Sequence, residues 1–345
     1  MPRSRLSVNV SAPVAKVDED ADDMSLSLNL AKRLFVKDNV AISEKGVVVD
    51  GTSFSMTLEL ADLEVGEVLG SGACSTVRHA IHKTTGEHVA LKTINLYDPS
   101  RRVQLVEEVR SLYKTDCPTI VHFYGAFFQE GSITIALEYM DGGSLANVLE
   151  QVGPIPEAVL ANMTFQVLWG LGYLKFQRRI HRDIKPQNIL VNSMGLVKLT
   201  DFGVSKELMT SMAYGKTFVG SFRYMAPERL QNRPHTYGAD VWALGIVLIE
   251  LATGRSPYDA EERSLGGAGP SYIDVVQTVI ESPSPTPSGA FSKEFQDFCA
   301  ACLCKDPTRR SLPDALLISP WLAQNGAVSL EASVANVAQW IASLQ

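Results

Sequence analysis

Two short polar segments constrain this chain more than anything else in it. They are His181-Arg-Asp183-Ile-Lys185-Pro-Gln-Asn188 and Asp201-Phe-Gly203, with Asp183 and Asp201 eighteen residues apart. Between them Ile189–Val191 and Leu196–Leu199 read as strands joined by a turn at Asn192 to Gly195. Asp183 can accept or orient the proton of an attacking hydroxyl. Lys185 can neutralise charge developing on a transferring phosphate, and Asn188 can ligate Mg2+. Asp201 then supplies a second metal anchor, bridging Mg2+ to the β- and γ-phosphates. Either segment alone could be a solvated loop. The pair, with a hairpin between, points to phosphoryl transfer.

Earlier in the chain, Gly70-Ser71-Gly72-Ala73-Cys-Ser75-Thr-Val77 lies between two strand-like segments. A dinucleotide fold would place such glycines between a strand and a helix. Here they read as a lid whose backbone N–H groups can approach phosphates, or as a plain glycine hairpin. Lys92, in Val89-Ala90-Leu-Lys92, is a cation within an apolar strand. It is either an exposed edge-strand residue or one that points into a cleft and needs an anion there. Nucleotide phosphates and an acidic residue on the next helix are candidates, and of Glu107 and Glu108 the second keeps register with Leu112.

The 345 residues suit a two-lobed enzyme or two modest domains. Residues 1–57 read as an N-terminal extension, disordered to about residue 25 and then leaning on the first lobe as short mixed stretches. Strands are expected over Leu63–Leu69, Thr76–Ile81, His88–Ile94, Val121–Phe128 and Ile133–Tyr139. A helix over Arg101–Lys114 should carry an apolar side of Val103, Val106, Val109, Leu112 and Tyr113. A long helix over Pro156–Gln177 should bury a stripe of Val159, Met163, Val167, Leu171 and Leu174. More helices are expected near 238–252, 271–281, 291–304 and 312–318, with loops at Gly266–Pro270 and Ser282–Pro287.

With 31 Lys and Arg against 38 Asp and Glu, the net charge of −7 argues against a general nucleic-acid binder. The N-terminus lacks the apolar core of a signal peptide. The longest apolar run, Val241–Ile249, is too short to cross a bilayer, so no membrane insertion is expected. Cys299-Ala-Ala-Cys302-Leu-Cys304 raises a zinc or redox reading, but no second pair or nearby histidine completes four ligands. A helix burying small thiols is the simpler reading, and reduced cysteines fit a cytoplasmic or nuclear compartment.

Together these residues resemble the eukaryotic protein kinase family across 58–322, with Ala226-Pro-Glu228 and Asp240-Val-Trp242-Ala-Leu-Gly245 extending the match. The resemblance implies an α+β bilobal fold, with a β-rich N-lobe at 58–140 carrying one helix and a mainly helical C-lobe at 141–322. It implies ATP and Mg2+ as cofactors. Gly70, Ser71, Gly72, Ala73, Val77, Ala90 and Lys92 would then face nucleotide, with Glu108 as the partner of Lys92. Leu137 would be the gatekeeper, with the backbones of Glu138 and Met140 on adenine, and Arg310 the buried partner of Glu228.

Lys185 resembles the serine/threonine group. Phe123–Phe128, Glu138–Leu145, Asp201–Ser205 and Phe218–Leu230 are similar to MAP kinase kinases. Those enzymes phosphorylate Thr and Tyr of a Thr-x-Tyr motif in a MAP kinase and are themselves activated by an upstream MAP kinase kinase kinase. Ser211 and Thr217, with five residues between them, resemble plant-type activation-loop phosphosites, with Arg182 as a cationic partner. Ser221 resembles the family's structural hydroxyl near Asp183 and Lys185. Arg3–Val8 resembles a short docking motif or is a plain tail. The 323–345 tail, with an amphipathic stretch from Val334 to Leu344, either binds the upstream kinase or packs on its own C-lobe. A kinase at another cascade level and a pseudokinase scaffold are the competing readings.

Overall fold

The computed structural model describes residues 27–29, 34–37, 40–44, 46–49, 52–54, 58–72, 75–96, 105, 109–110, 112–113, 115–129, 131–201, 221–258 and 272–344. They belong to two compact units, one from residues 1–116 and 121–139, the other from 117–120 and 140–345. Ala73, Glu107, Glu108, Phe202, Gly203, Ser211, Thr217, the Arg3–Val8 stretch and the Gly266–Pro270 loop lie outside the described residues.

The first unit begins with an antiparallel meander where the sequence suggested a loosely leaning extension. Strands β1 (Ser27–Asn29), β2 (Leu34–Lys37), β3 (Val40–Ser43), β4 (Gly46–Val49) and β5 (Thr52–Phe54) pair in chain order. Val40 pairs with Val49 and Ile42 with Val47, and all four are buried, whereas Ala41 and Val48 between them are half-buried. Period-2 alternation is present, but strands of three or four residues are too short to show it convincingly in the sequence. β3 and β4 lie against β9 (Phe123–Gln129).

That strand is one edge of a second sheet, with β6 (Leu63–Ser71), β7 (Ser75–His82), β8 (His88–Asn95) and β10 (Ser132–Glu138) in the order β6-β7-β8-β10-β9. Successive side chains point to opposite faces, and here each face has its own task. Ala80, Val89, Leu91, Phe127 and Ala136 form a core with Leu58 and Leu63. Val77 stands opposite Lys92, and Ala90 opposite Leu137, so these four occupy the other face. Of the helical residues described between 101 and 114, Leu105, Val109 and Leu112 are buried and Tyr113 is half-buried. Leu105 was not on the expected stripe, and Val103 and Val106 lie outside the described residues.

The second unit is mainly helical. Ser144 starts α1 (Leu145–Val152) with a capping box through Asn147. Helix α2 (Glu157–Phe176) corrects the expected single stripe: from Leu160 to Leu168 every residue is buried, while Val159 is only half-buried. Such a helix is surrounded by its neighbours, so its apolar and small residues need no periodicity. β11 (Ile189–Val191) and β12 (Val197–Leu199) pair as the expected hairpin. Then come α3 (Pro227–Leu230), α4 (Gly238–Thr253), α5 (Tyr272–Glu281), α6 (Lys293–Cys302), α7 (Pro313–Leu316), α8 (Pro320–Gln324) and α9 (Leu330–Ala342).

Helix α4 is buried along nearly its whole length, and a Cβ on its Gly245 would come within 2.8 Å of Leu303 on the segment after α6. In α6, Ser292 caps the helix through Phe295 N, and Cys299 and Cys302 are buried. Burial pushes both thiols well up from their ordinary range, so they are small apolar fillers. Among the described residues no cluster of three His, Cys, Asp or Glu side chains is arranged to hold a metal.

Helix α9 packs on α2. Asn336 donates from Nδ2 to Asn162 Oδ1 at 3.0 Å, and Val337 and Ser333 are fully buried. The same helix presses on the β11–β12 turn: a Cβ on Gly195 would sit 2.2 Å from Val334 O. Of the two readings of the tail, packing on its own C-lobe is the one this geometry supports.

Candidate active site

The polypeptide around Asp183 is fixed from below by one carboxylate. Asp240, in the first turn of α4, accepts from His181 N through Oδ2 and from Arg182 N through Oδ1, both at 2.7 Å. Burial pushes its carboxyl up, while His181, these two amides and Arg229 act in the opposite direction. His181 is fully buried, and its Nε2 lies 3.0 Å from Thr200 O while its Nδ1 accepts from Asp183 N at 3.3 Å. Those partners require the neutral tautomer with the proton on Nε2, and burial lowers the imidazole pKa accordingly. Arg182 adopts φ +71°, a conformation costly for a residue with a side chain. Its carbonyl accepts from Arg229 Nη1 at 2.7 Å, which helps hold it there.

On this base the reactive groups converge. Asn188 is buried in a 3-10 turn, Pro186–Asn188, whose proline fixes the first φ. Its Nδ2 donates to Asp183 O and to Asp183 Oδ2, each at 2.8 Å. Lys185 Nζ lies 2.8 Å from the same Oδ2, and both side chains of this ion pair keep about a fifth of their surface exposed. So Asp183 is an oriented, accessible carboxylate. The amide hydrogens of Asn188 are both directed at it, which leaves Asn188 Oδ1 as an oxygen donor. Asp201, at φ +62°, follows Thr200, whose N donates to Asn188 O at 3.1 Å. An amide oxygen and one carboxylate are a donor set that suits Mg2+, which binds few protein groups and takes its other oxygens from phosphates and water.

In the first unit the other expected residues lie on one sheet. Lys92 is 6 % exposed on β8, the middle strand, which removes the edge-strand reading. Ala90 and Leu137 are also buried, and so is Met140, which belongs to the second unit and to no strand. Gly70 and Ser71 end β6, and Gly72 N donates to Ser75 O at 2.8 Å to close the turn into β7. A Cβ on Gly70 would meet nothing within 4 Å, and one on Gly72 only Ser75 at 3.7 Å or more. Neither has a positive φ. The fold itself does not demand glycine there, whereas Gly142, where a Cβ would be 2.7 Å from Val191 O, is demanded by packing. Bare backbone that the fold leaves open is what close approach by a phosphate needs.

The Glu228–Arg310 pair has the expected geometry. Arg310 donates to Glu228 Oε1 at 2.7 Å and to Oε2 at 3.0 Å, and also to Gly238 O and Cys304 O. It stacks over Trp242 at 5.2 Å. Sequence reasoning missed the roles of Asp240, Thr200 and Arg229. Asp240 did carry a signal, as a carboxylate heading an otherwise apolar helix; the Thr200 contact is made by a backbone carbonyl and leaves no trace in residue type.

A family model described as "Protein kinase domain" matches residues 63–322. Mitogen-activated protein kinase kinase 1 of Arabidopsis thaliana is 41% identical over 281 residues, 81% of this chain and 79% of that protein. Mitogen-activated protein kinase kinase SIPKK of Nicotiana tabacum is 42% identical, covering 76% and 74% of the two chains. Mitogen-activated protein kinase kinase 3 of Arabidopsis thaliana is 44% identical over 76% of this chain, which spans only 50% of that relative's length.

Proposed function

The chain belongs to the protein kinase family and, within it, to the MAP kinase kinases. From that premise we propose that it transfers the γ-phosphate of ATP to the Thr and the Tyr of a MAP kinase activation loop. The observation that carries the reading is the Asp183 carboxylate, oriented by Asn188 and paired with Lys185. In this role Asp183 orients the attacking hydroxyl and takes its proton, and Lys185 offsets negative charge on the transferring group. Asn188 and Asp201 hold Mg2+, which when bound neutralises phosphate charge. Lys92 and the open backbone at Gly70, Ser71 and Gly72 bind the nucleotide phosphates. Val77, Ala90 and Leu137, with the backbones of Glu138 and Met140, receive adenine.

Ser211 and Thr217 are proposed as the sites through which an upstream MAP kinase kinase kinase activates the enzyme. Each phosphate adds about −1.5 to −2 charge at pH 7. Glu108 is proposed as the partner of Lys92. Among the described residues no helix is long and apolar enough to cross a membrane, and a cytoplasmic or nuclear location is part of the proposal.

The test is transfer of label from ATP to a catalytically inactive MAP kinase, using the chain with acidic replacements at Ser211 and Thr217. Label on both Thr and Tyr is expected. Label on Ser and Thr alone would assign the chain to another level of the cascade. Nucleotide binding without transfer would make it a scaffold.

A further inference from the structure

The stretch Ser282-Pro283-Ser284-Pro285-Thr286-Pro287 takes no part in the chemistry above, yet it places a proline after a hydroxyl three times in succession. A proline fixes its own φ, holds the residue before it extended, and has no N–H to give to a ladder. Residues 283–288 accordingly lie outside any helix or strand, between α5 and α6. Two links fasten this loop to the segment after α6. Lys305 Nζ donates to Ile280 O at 2.8 Å and to Ser282 O, which closes the C-terminal end of α5 with a cation. Ser284 Oγ donates to Leu303 O at 2.6 Å.

A hydroxyl directly before proline is what proline-directed protein kinases phosphorylate, and the three here are held differently. Ser282 is tied on both sides of its backbone, its N to Thr278 O and its O to Lys305. Thr286 is exposed, but the proline after it is buried. Ser284 is half-buried, with an exposed proline before it, a half-buried one after it, and its hydroxyl fastened to Leu303 O. Opening one such bond reduces the accessible population by only about fivefold. We propose that Ser284 is a phosphorylation site for a proline-directed protein kinase, and that its phosphate releases the end of α5.

In the transfer, the bond from the γ-phosphorus to the ADP oxygen breaks and one to Ser284 Oγ forms, while the hydroxyl proton goes to the base of the donor kinase. The ester has no hydrogen to offer Leu303 O. It also brings about −1.5 to −2 charge at pH 7 beside the carbonyls of Ser282 and Leu303. Lys305 turns to the phosphate, and the carbonyls of Ile280 and Ser282 lose their donor. Helix α5 packs on Ser221–Tyr224 and on α3, so the phosphate acts on a helix that supports the 221–230 region. The site is independent of what the chain itself phosphorylates.

The test uses the full chain with Asp183→Asn, to suppress self-labelling. It is given labelled ATP and, separately, an active MAP kinase or an active cyclin-dependent kinase, both proline-directed. Mass spectrometry should place phosphate on Ser284. Ser284→Ala and Pro285→Ala should each lower the initial rate by about tenfold or more. Pro285→Ala keeps the hydroxyl, so it separates loss of the acceptor from loss of the proline, and circular dichroism checks that both variants fold. Transfer to Ser282 or Thr286 with Ser284 unlabelled would overturn the proposal, as would no transfer by either kinase. Amide exchange reads the consequence: residues 279–282 should exchange about tenfold faster once Ser284 carries phosphate, and Lys305→Met should speed them without it. Unchanged exchange there in the phosphorylated chain would overturn the release of α5.

Discussion

The segment from His181 to Asp201 and the turn from Gly70 to Ser75 serve one proposed reaction but are built in opposite ways. In the first, Asp240, Thr200, Arg229 and Asn188 each fix a backbone or side-chain atom near Asp183. In the second, among the described residues, one turn bond from Gly72 to Ser75 supplements strand pairing. β6 even changes register against β7 twice, between Val65 and Val68 and between Val68 and Gly70, and leaves Val65, Val68 and Leu69 exposed. The difference follows from what each must hold. A proton-accepting carboxylate works only at a set position, so its surroundings are over-determined. A phosphate-covering turn needs exposed N–H groups and room, and every added fastening would use up one of them.

Four tests probe that contrast. The largest effect should come from Asp183→Asn: turnover falls by about 10^4-fold while ATP affinity changes by less than about twofold. Single-turnover transfer and nucleotide titration measure the two separately, and a large loss of ATP affinity would contradict the role given to Asp183. Next, Arg310→Met leaves Glu228 buried and unpaired, and should cost about 3–5 kcal/mol in denaturant unfolding of the second unit. Third, Gly195→Ala and Gly70→Ala set the two regions directly against each other. Gly195 has φ +81° and no room for a Cβ, so alanine should cost about 2–3 kcal/mol. Gly70 has room, so alanine should change stability by less than about 0.5 kcal/mol while raising KM for ATP. Equal stability losses would erase the distinction.

The smallest effect is a pH dependence of the fastened region. Burial depresses the folded-state pKa of His181, so the unfolded chain takes up a proton near pH 6.5 that the native state does not. The contribution is therefore complete above about pH 6.5 and is lost as pH falls below it, with a slope of about 1.4 kcal/mol per pH unit for one proton. His235, also lowered by burial, adds in the same direction. Denaturant unfolding from pH 7.5 to 5.5 should show the decline, and His181→Phe should make it shallower, leaving the His235 share.

Much of this was legible in the sequence because the chemistry imposes residue types. Asp183, Lys185, Asn188 and Asp201 are named by what they must do, and Lys92 by the oddity of a cation in an apolar strand. The hairpin at Asn192–Gly195 and the Glu228–Arg310 pair were legible for similar reasons, the second through resemblance. The 27–54 meander was not, since each of its strands shows only one or two alternations. Nor was the all-round burial of α2, because Asn162, Thr164 and Gln166 interrupt its apolar pattern. Asn162 and Gln166 meet Asn325 O and Gly195 O, partners that a reading of α2 by itself had no means to supply, while Thr164 bonds back to Leu160 O of its own helix.

The seat of α9 on α2 also has a consequence for how the polypeptide is made. Asn162 and Asn336 are 174 residues apart, and Val337 and Ser333 are buried only once both helices are present. At translation rates of about 5–20 residues per second, α2 waits roughly ten to thirty seconds on the ribosome for that partner. Until then one side of the hairpin leading to Asp201 lacks its cover, while both sheets of the first unit have long had all their strands. Completion of that cover is thus a late event in the life of each molecule, timed by the distance between two helices along the chain.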